Sequence, residues 1–375
     1  MSERGASYWR PGDDPGGRHF VTLDVGRDGV RLEGDGALEV VTVAYETFGT
    51  LNATRSNAVL VLHALTGDSH VAGPAGPGHP TPGWWNGLVG PGLAVDTDEF
   101  FVVCPNVLGG SQGTTGPSSL DPAGRPYGSR FPTITVRDQV MIEVAFADAI
   151  GIETWYCVVG GSMGGMRVLE WAVGYPERAA RAIVLAVGAA STADEIALSA
   201  LQIRAIKADP QYFGGDYYDH GAGPTEGLAI ARGLGQITYR SAGEFDRRFG
   251  RGTQDGSDAL RGGRYAVESY LGHHGEKLAA RFDANSYVVL SEAMNHHDVG
   301  RDRGGVDAAL ARVTAQTTVI GIDSDRLYPL ALQEELARLI PRAGTLDVIT
   351  SDVGHDGFLL EVDQISKIVS AALHE

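Results

Sequence analysis

Two hydrophobic rhythms alternate along the chain. The stretches "NAVLVLHAL" (57 to 65) and "EFFVVCPNV" (99 to 107) are apolar throughout and end in turn residues, the pattern of strands buried on both faces. In "TVRDQVMIEVAFADAIGI" (135 to 152) and "GGMRVLEWAVGYPERA" (164 to 179) apolar residues return at helical spacing instead. Continuous runs resume at "WYCVVGG" (155 to 161) and "RAIVLAVGA" (181 to 189). Earlier, "GALEVVTVAYETFG" (36 to 49) alternates as an antiparallel strand does. Residues 1 to 20, rich in Gly, Asp and Pro, read as a loose N-terminal arm. Strands alternating with helices predict an α/β protein with a mostly parallel central sheet and helices on both faces.

The rhythm breaks near Ser191. From there to about residue 312 helical patterns are interrupted by Gly-rich and charged turns, with no clear buried strand. It resumes with "TTVIGID" (317 to 323), the helix "PLALQEELARLI" (329 to 340), the strand "TLDVITS" (345 to 351) and a closing helix "VDQISKIVSAALHE". The expected organisation is a core from residues 1–190, a helical lid inserted at 191–313, and the rest of the core at 314–375. An insertion of that length is too long for an ordinary loop.

Composition narrows the classes. Among 375 residues, 43% are hydrophobic and the net charge is −17, which disfavours nucleic acid and anionic membranes as partners. The two cysteines, Cys104 and Cys157, each lie beside an apolar run and form no CxxC pair. No apolar stretch reaches the ~18 residues of a transmembrane helix, and the N-terminal region lacks a signal-peptide core. A soluble, cytoplasmic protein is expected.

Chemistry concentrates at Ser162. Gly160-Gly161-Ser162-Met163-Gly164 fits G-x-S-x-G where a strand meets a helix, so the glycines permit a turn sharp enough to expose the serine oxygen. A serine nucleophile needs a base, and the base needs an orienting carboxylate. "DVGHDGFL", after the last strand, supplies His355, and "GIDSDRLYP" supplies Asp323 or Asp325. Asp325 is preferred because it lies further into the loop and matches D-x-x-x-P; its alternative role is to cap the following helix. Backbone amides of Met163 and Leu65 are candidates for an oxyanion hole. The pairs His273-His274 and His296-His297 read as surface or lid residues, and no metal site is expected. "NVLGGSQGTTGP" (106 to 117) lacks the Gly-Lys-Ser/Thr ending of a phosphate loop.

Together "HALTGDSHVAG", "CPNVLGGSQGTTGP", "FPTITVRDQV", "VVGGSMGGM", "GIDSDRLYP" and "GHDGFLLE" resemble the homoserine O-acetyltransferases of methionine biosynthesis, members of the α/β-hydrolase superfamily. The resemblance runs from about Tyr45 to the C-terminus. It implies the α/β-hydrolase fold and ping-pong transfer of acetyl from acetyl-CoA, through Ser162, to L-homoserine, with no permanently bound cofactor. It also implies that Arg232 and Tyr239 of the lid, with Asp356, hold the amino acid, and that the protein forms homodimers through lid segments such as "EIALSALQI". A succinyl donor, or serine as acceptor, keeps every residue named. A plain esterase shares the triad, whereas the intact triad disfavours a noncatalytic binding protein.

Overall fold

The computed structural model describes residues 8–26, 29–221 and 223–374. Its centre is an eight-stranded sheet. In chain order the strands are β1 (His19–Leu23), β2 (Val41–Phe48), β3 (Ala58–Leu62), β4 (Phe101–Pro105), β5 (Cys157–Gly161), β6 (Arg181–Leu185), β7 (Gln316–Ile322) and β8 (Asp347–Ile349). Their spatial order is β1-β2-β4-β3-β5-β6-β7-β8. The pairs β1–β2 and β2–β4 are antiparallel, and every later pair is parallel.

The apolar runs are continuous because alternate residues serve two different cores. Leu60, Leu62, Val158, Ala182 and Val184 face one side, packed with Val140 and Phe146 of α1 (Val136–Ala149) and Leu169 and Trp171 of α2 (Met163–Gly174). Val59, Val61, Cys157, Val159, Ile183 and Leu185 face the other, against Ile365, Val369 and Leu373 of the C-terminal helix (Val362–His374). Both cysteines are fully buried and unpaired.

Between β6 and β7 the chain forms α3 (Ala193–Ala208), α4 (Thr225–Tyr239), α5 (Ala242–Phe249), α6 (Ala266–Ala279), α7 (Ala284–Asn295) and α8 (Val306–Leu310). Its two ends meet at an Ala190–Asp298 bridge, flanked by Ser191 N–H donating to His297 O (2.9 Å) and Val299 N–H to Ala189 O (3.0 Å). Ile206, Leu228, Leu278, Tyr287 and Leu290 of these helices form a third cluster with Leu65, Val107 and Met163. The helical segment therefore rests on the end of the sheet where the serine lies.

The stretch expected to be a loose arm departs from that expectation from Tyr8 onward; residues 1–7 lie outside the described residues. Trp9 N–H donates to Ser111 O (3.0 Å), Arg18 is buried with its guanidinium on Pro15 O, Gly78 O and Gln112, and β1 begins at His19. The reason is charge-assisted hydrogen bonding of one arginine to three acceptors. Two of them, Gly78 O and Gln112, lie far along the chain and cannot be seen in local composition.

Candidate active site

Ser162 joins β5 to α2 with φ 57° and ψ −126°, a conformation unusual for any residue with a side chain. Such backbone costs of order 1–3 kcal/mol and persists only where its surroundings enforce it. Here Ser162 N–H donates to Leu185 O (3.0 Å), and Met166 N–H donates to Ser162 O (3.0 Å). The flanking glycines allow strand and helix to touch: a Cβ on Gly164 would lie 2.1 Å from Leu62 O, and one on Gly160 2.8 Å from the same oxygen.

His355 lies in the loop after β8, 2% exposed. Its Nδ1 is 2.6 Å from Asp325 Oδ2, and its Nε2 is buried with no hydrogen-bond partner. Nδ1 donates to the carboxylate, so in the neutral ring Nε2 keeps a lone pair. Burial, the largest single influence, pulls the His355 pKa down, but Asp325, helped by Asp356 and Glu195, leaves the pKa raised. Asp325 is itself fixed, its Oδ1 accepting from the amides of Leu327 (2.8 Å) and Tyr328 (2.9 Å). Of the two acids in this loop, Asp323 instead accepts from Ser351 N–H (3.0 Å) and ties β7 to the loop after β8. Asp325 is not a helix cap either: the next helix, α9, runs Leu330–Leu339 behind Pro329.

Leu65 follows β3, and Met163 opens α2; neither amide enters a loop or turn hydrogen bond. Arg232 lies with its guanidinium carbon 5.4 Å from the centre of the Tyr239 ring, and that ring is 5.9 Å from the ring of His355. Asp356 N–H donates to Tyr239 O (3.2 Å), and the Asp356 carboxylate is 3.1 Å from Arg240 Nε. Arg232, Tyr239 and Asp356 thus gather beside His355, although Asp356 already faces one cation.

Several neighbours of the site went unnamed in the sequence reading. Tyr328 packs its ring 5.1 Å from that of His355. Tyr287 of α7, near enough to Tyr239 to act on it electrostatically, donates to Gln202 Oε1 (2.7 Å). Glu195 approaches from the first turn of α3, near enough for His355 and Asp325 to act on it electrostatically. Only the position of Tyr328, three residues after Asp325 in the same loop, offered a sequence signal.

The paired histidines are elsewhere. His273 and His296 are exposed, but His297 is buried, its Nε2 3.1 Å from Gly188 O. A different group, Glu46, His70 and His79, is buried with its ligand atoms close enough for a metal ion. His70 Nδ1 faces Glu46 Oε2 (3.0 Å) and its Nε2 faces Pro74 O (3.2 Å); two acceptors require both nitrogens to be protonated, so His70 is an imidazolium. Its pKa is raised accordingly: burial opposes the charge and Glu46 prevails. His79 stacks on it at 3.8 Å and accepts from Gly17 N–H (3.0 Å). The three form a buried ion pair fastening the N-terminal segment, a poor arrangement for ligation because a protonated nitrogen has no lone pair to give.

A family profile for the alpha/beta hydrolase fold matches residues 57–362. A homoserine O-acetyltransferase of Thermobifida fusca (strain YX) is 62% identical over 366 residues, covering 97% of this chain and 96% of that protein. Among solved structures, a homoserine O-acetyltransferase from Bacillus anthracis superposes with a TM-score of 0.86 at 26% identity, covering 96% of this chain and 97% of that one. Esterase E22 superposes equally well, with a TM-score of 0.86 at 27% identity over 95% of this chain and 99% of its own. The chain belongs to the homoserine O-acetyltransferase family of the alpha/beta hydrolase fold.

Proposed function

We propose that the protein transfers acetyl from acetyl-CoA to the hydroxyl of L-homoserine through an acyl-Ser162 intermediate. The observation that carries this reading is the His355–Asp325 contact beside a strained Ser162, in a chain 62% identical to a homoserine O-acetyltransferase along almost its whole length. In the first half-reaction the Ser162 oxygen attacks the thioester carbonyl while its proton passes to His355 Nε2. The C–S bond breaks, and the departing thiolate takes that proton. The Leu65 and Met163 amides hold the carbonyl oxygen while it carries negative charge. In the second half the homoserine hydroxyl gives its proton to His355 and attacks the acyl carbon. The ester bond to Ser162 breaks, and the proton returns to the serine oxygen.

Arg232 suits the homoserine carboxylate as a planar fork, and Asp356 suits its ammonium, released for that purpose from Arg240. The helical lid keeps water from the acyl-serine. Exposed apolar residues Leu201 of α3 and Ile230 and Ile237 of α4 support a homodimer through the lid. A net charge of −17 supports a soluble, cytoplasmic protein with no nucleic-acid or anionic-membrane partner, and no described helix is long and apolar enough to cross a membrane.

The test follows thiol release from acetyl-CoA with and without L-homoserine. Homoserine-dependent release that disappears in Ser162→Ala supports the transferase. Release at the same steady rate without homoserine makes water the acceptor and the protein an esterase.

A further inference from the structure

Three buried polar atoms without hydrogen-bond partners border one small cavity: Glu195 Oε1 and Ser199 Oγ of α3, and Ser291 Oγ of α7. Leu65 and Tyr328 border it too, the first from the loop after β3, the second with its ring 5.1 Å from that of His355. The cavity therefore lies beside the candidate active site. Glu195 is only 7% exposed and cannot swing away freely. Its Oε2 accepts from Thr192 N–H (3.2 Å), while its own amide donates to Thr192 Oγ1 (3.3 Å), a reciprocal helix cap. One oxygen is spent on the helix terminus, and the other is buried without a hydrogen-bond partner in a residue that borders the cavity.

The rest of the lining gives that oxygen no countercharge. Its other polar members are hydroxyls and amides, among them Ser191, Gln202, Thr238 and Asn295, and it contains no lysine or arginine. The cavity is small, about 40 Å³. A methyl group fits such a space. A longer acyl chain that ends in its own carboxylate must expand the cavity and place a second negative charge beside Glu195, away from bulk water.

We propose that this cavity is the acyl pocket and that Glu195 is a specificity-determining residue, admitting a short uncharged acyl group and rejecting thioesters of dicarboxylic acids such as succinyl-CoA. The inference rests on the acyl-Ser162 reading above. Its physical content is that rejection comes from an uncompensated like charge as well as from volume. Burial holds the Glu195 carboxyl up at about 7, so the charge is fully expressed in a buffer near pH ~8.

The experiment measures the initial burst of thiol release from acetyl-CoA and from succinyl-CoA, without acceptor, near pH ~8. It compares the wild type, Glu195→Gln and Ser199→Arg. Glutamine keeps the cap and the shape and removes the charge; arginine brings a cation to the same wall from the next turn of α3. The ratio of succinyl to acetyl rates is expected to rise about tenfold or more in each variant, whereas thermal stability reports only the helix cap. A ratio unchanged in Glu195→Gln overturns the proposal. If that variant fails to fold, an unchanged ratio in Ser199→Arg overturns it instead. Because the burst needs no acceptor, the ratio can be read even if homoserine proves not to be the acceptor, so the two readings fail separately.

Discussion

Replacing Asp325 by asparagine keeps the shape of the side chain and reverses its hydrogen bonding toward the base. The orientation of residue 325 is set from the other side, where Oδ1 accepts from the amides of Leu327 and Tyr328 at 2.8 and 2.9 Å. An asparagine keeps its carbonyl oxygen on those two donors, so its NH₂ faces His355 Nδ1 across a 2.6 Å contact. Two donors cannot share it, and the imidazole must carry its proton on Nε2 instead. The nitrogen nearest Ser162 then has no lone pair for the serine proton. In a comparable triad the same change of tautomer lowers the rate about 10⁴-fold, equivalent to about 5.4 kcal/mol of transition-state stabilisation.

The assay is rapid-mixing thiol release from acetyl-CoA, with a thermal melt as the control for folding. The pH profile supplies a second reading. His355 must be neutral to accept a proton, so wild-type activity fails as pH falls through a pKa held above its usual 6.5 by Asp325. Without the carboxylate only the weaker attractions of Asp356 and Glu195 oppose burial, and the acid limb must move to lower pH. A folded Asp325→Asn protein keeping more than about a tenth of the wild-type rate, or an acid limb that stays in place, would refute this account of the base.

Gly164→Ala puts a Cβ 2.1 Å from Leu62 O, so α2 must lift off β3. A loss of about 1–3 kcal/mol is expected in denaturant melts, with about 100-fold lower activity from a displaced Ser162; wild-type values for both contradict it. Arg232→Lys replaces a planar fork by a point charge, and a homoserine KM raised about tenfold or more is expected, with the thiol burst retained; an unchanged KM removes Arg232 from the acceptor site. Burial pushes the Cys157 thiol up to about 12 and the Cys104 thiol well above its usual value. A disulfide exchange reagent should label neither in the native protein and both in denaturant, and native labelling would contradict the buried strands.

The serine, its acid and its base were legible because each combines a local pattern with a position. Ser162 sits among glycines where an apolar run turns into a helix, and Asp325 and His355 follow the ends of two later runs. Strand β1 was not legible: "HFVTL" is short, follows Gly, Asp and Pro, and owes its place to pairing with β2. Glu195 was hidden by its second role, because Glu three residues after Thr192 reads as an ordinary helix start. That it borders one cavity with Ser291 of α7 depends on how two helices cross. Glu46, His70 and His79 were equally invisible, since nothing in the strand around Glu46 indicates which later loop folds over it.

The Ala190–Asp298 bridge closes most of the helical segment, residues 190–298, into a ring. Strands β6 and β7 remain direct neighbours in the sheet, with Leu185 opposite Ile320, whatever the ring contains. Enlarging such a ring is cheap in chain entropy, about 0.6 kcal/mol for each doubling of its length. Ser162, Asp325 and His355 all lie outside it, whereas Glu195, Arg232 and Tyr239 lie inside. The groups proposed to break bonds are therefore carried by the sheet and its loops, and the groups proposed to hold the reactants by a ring whose length and content leave the pairing of β6 with β7 untouched.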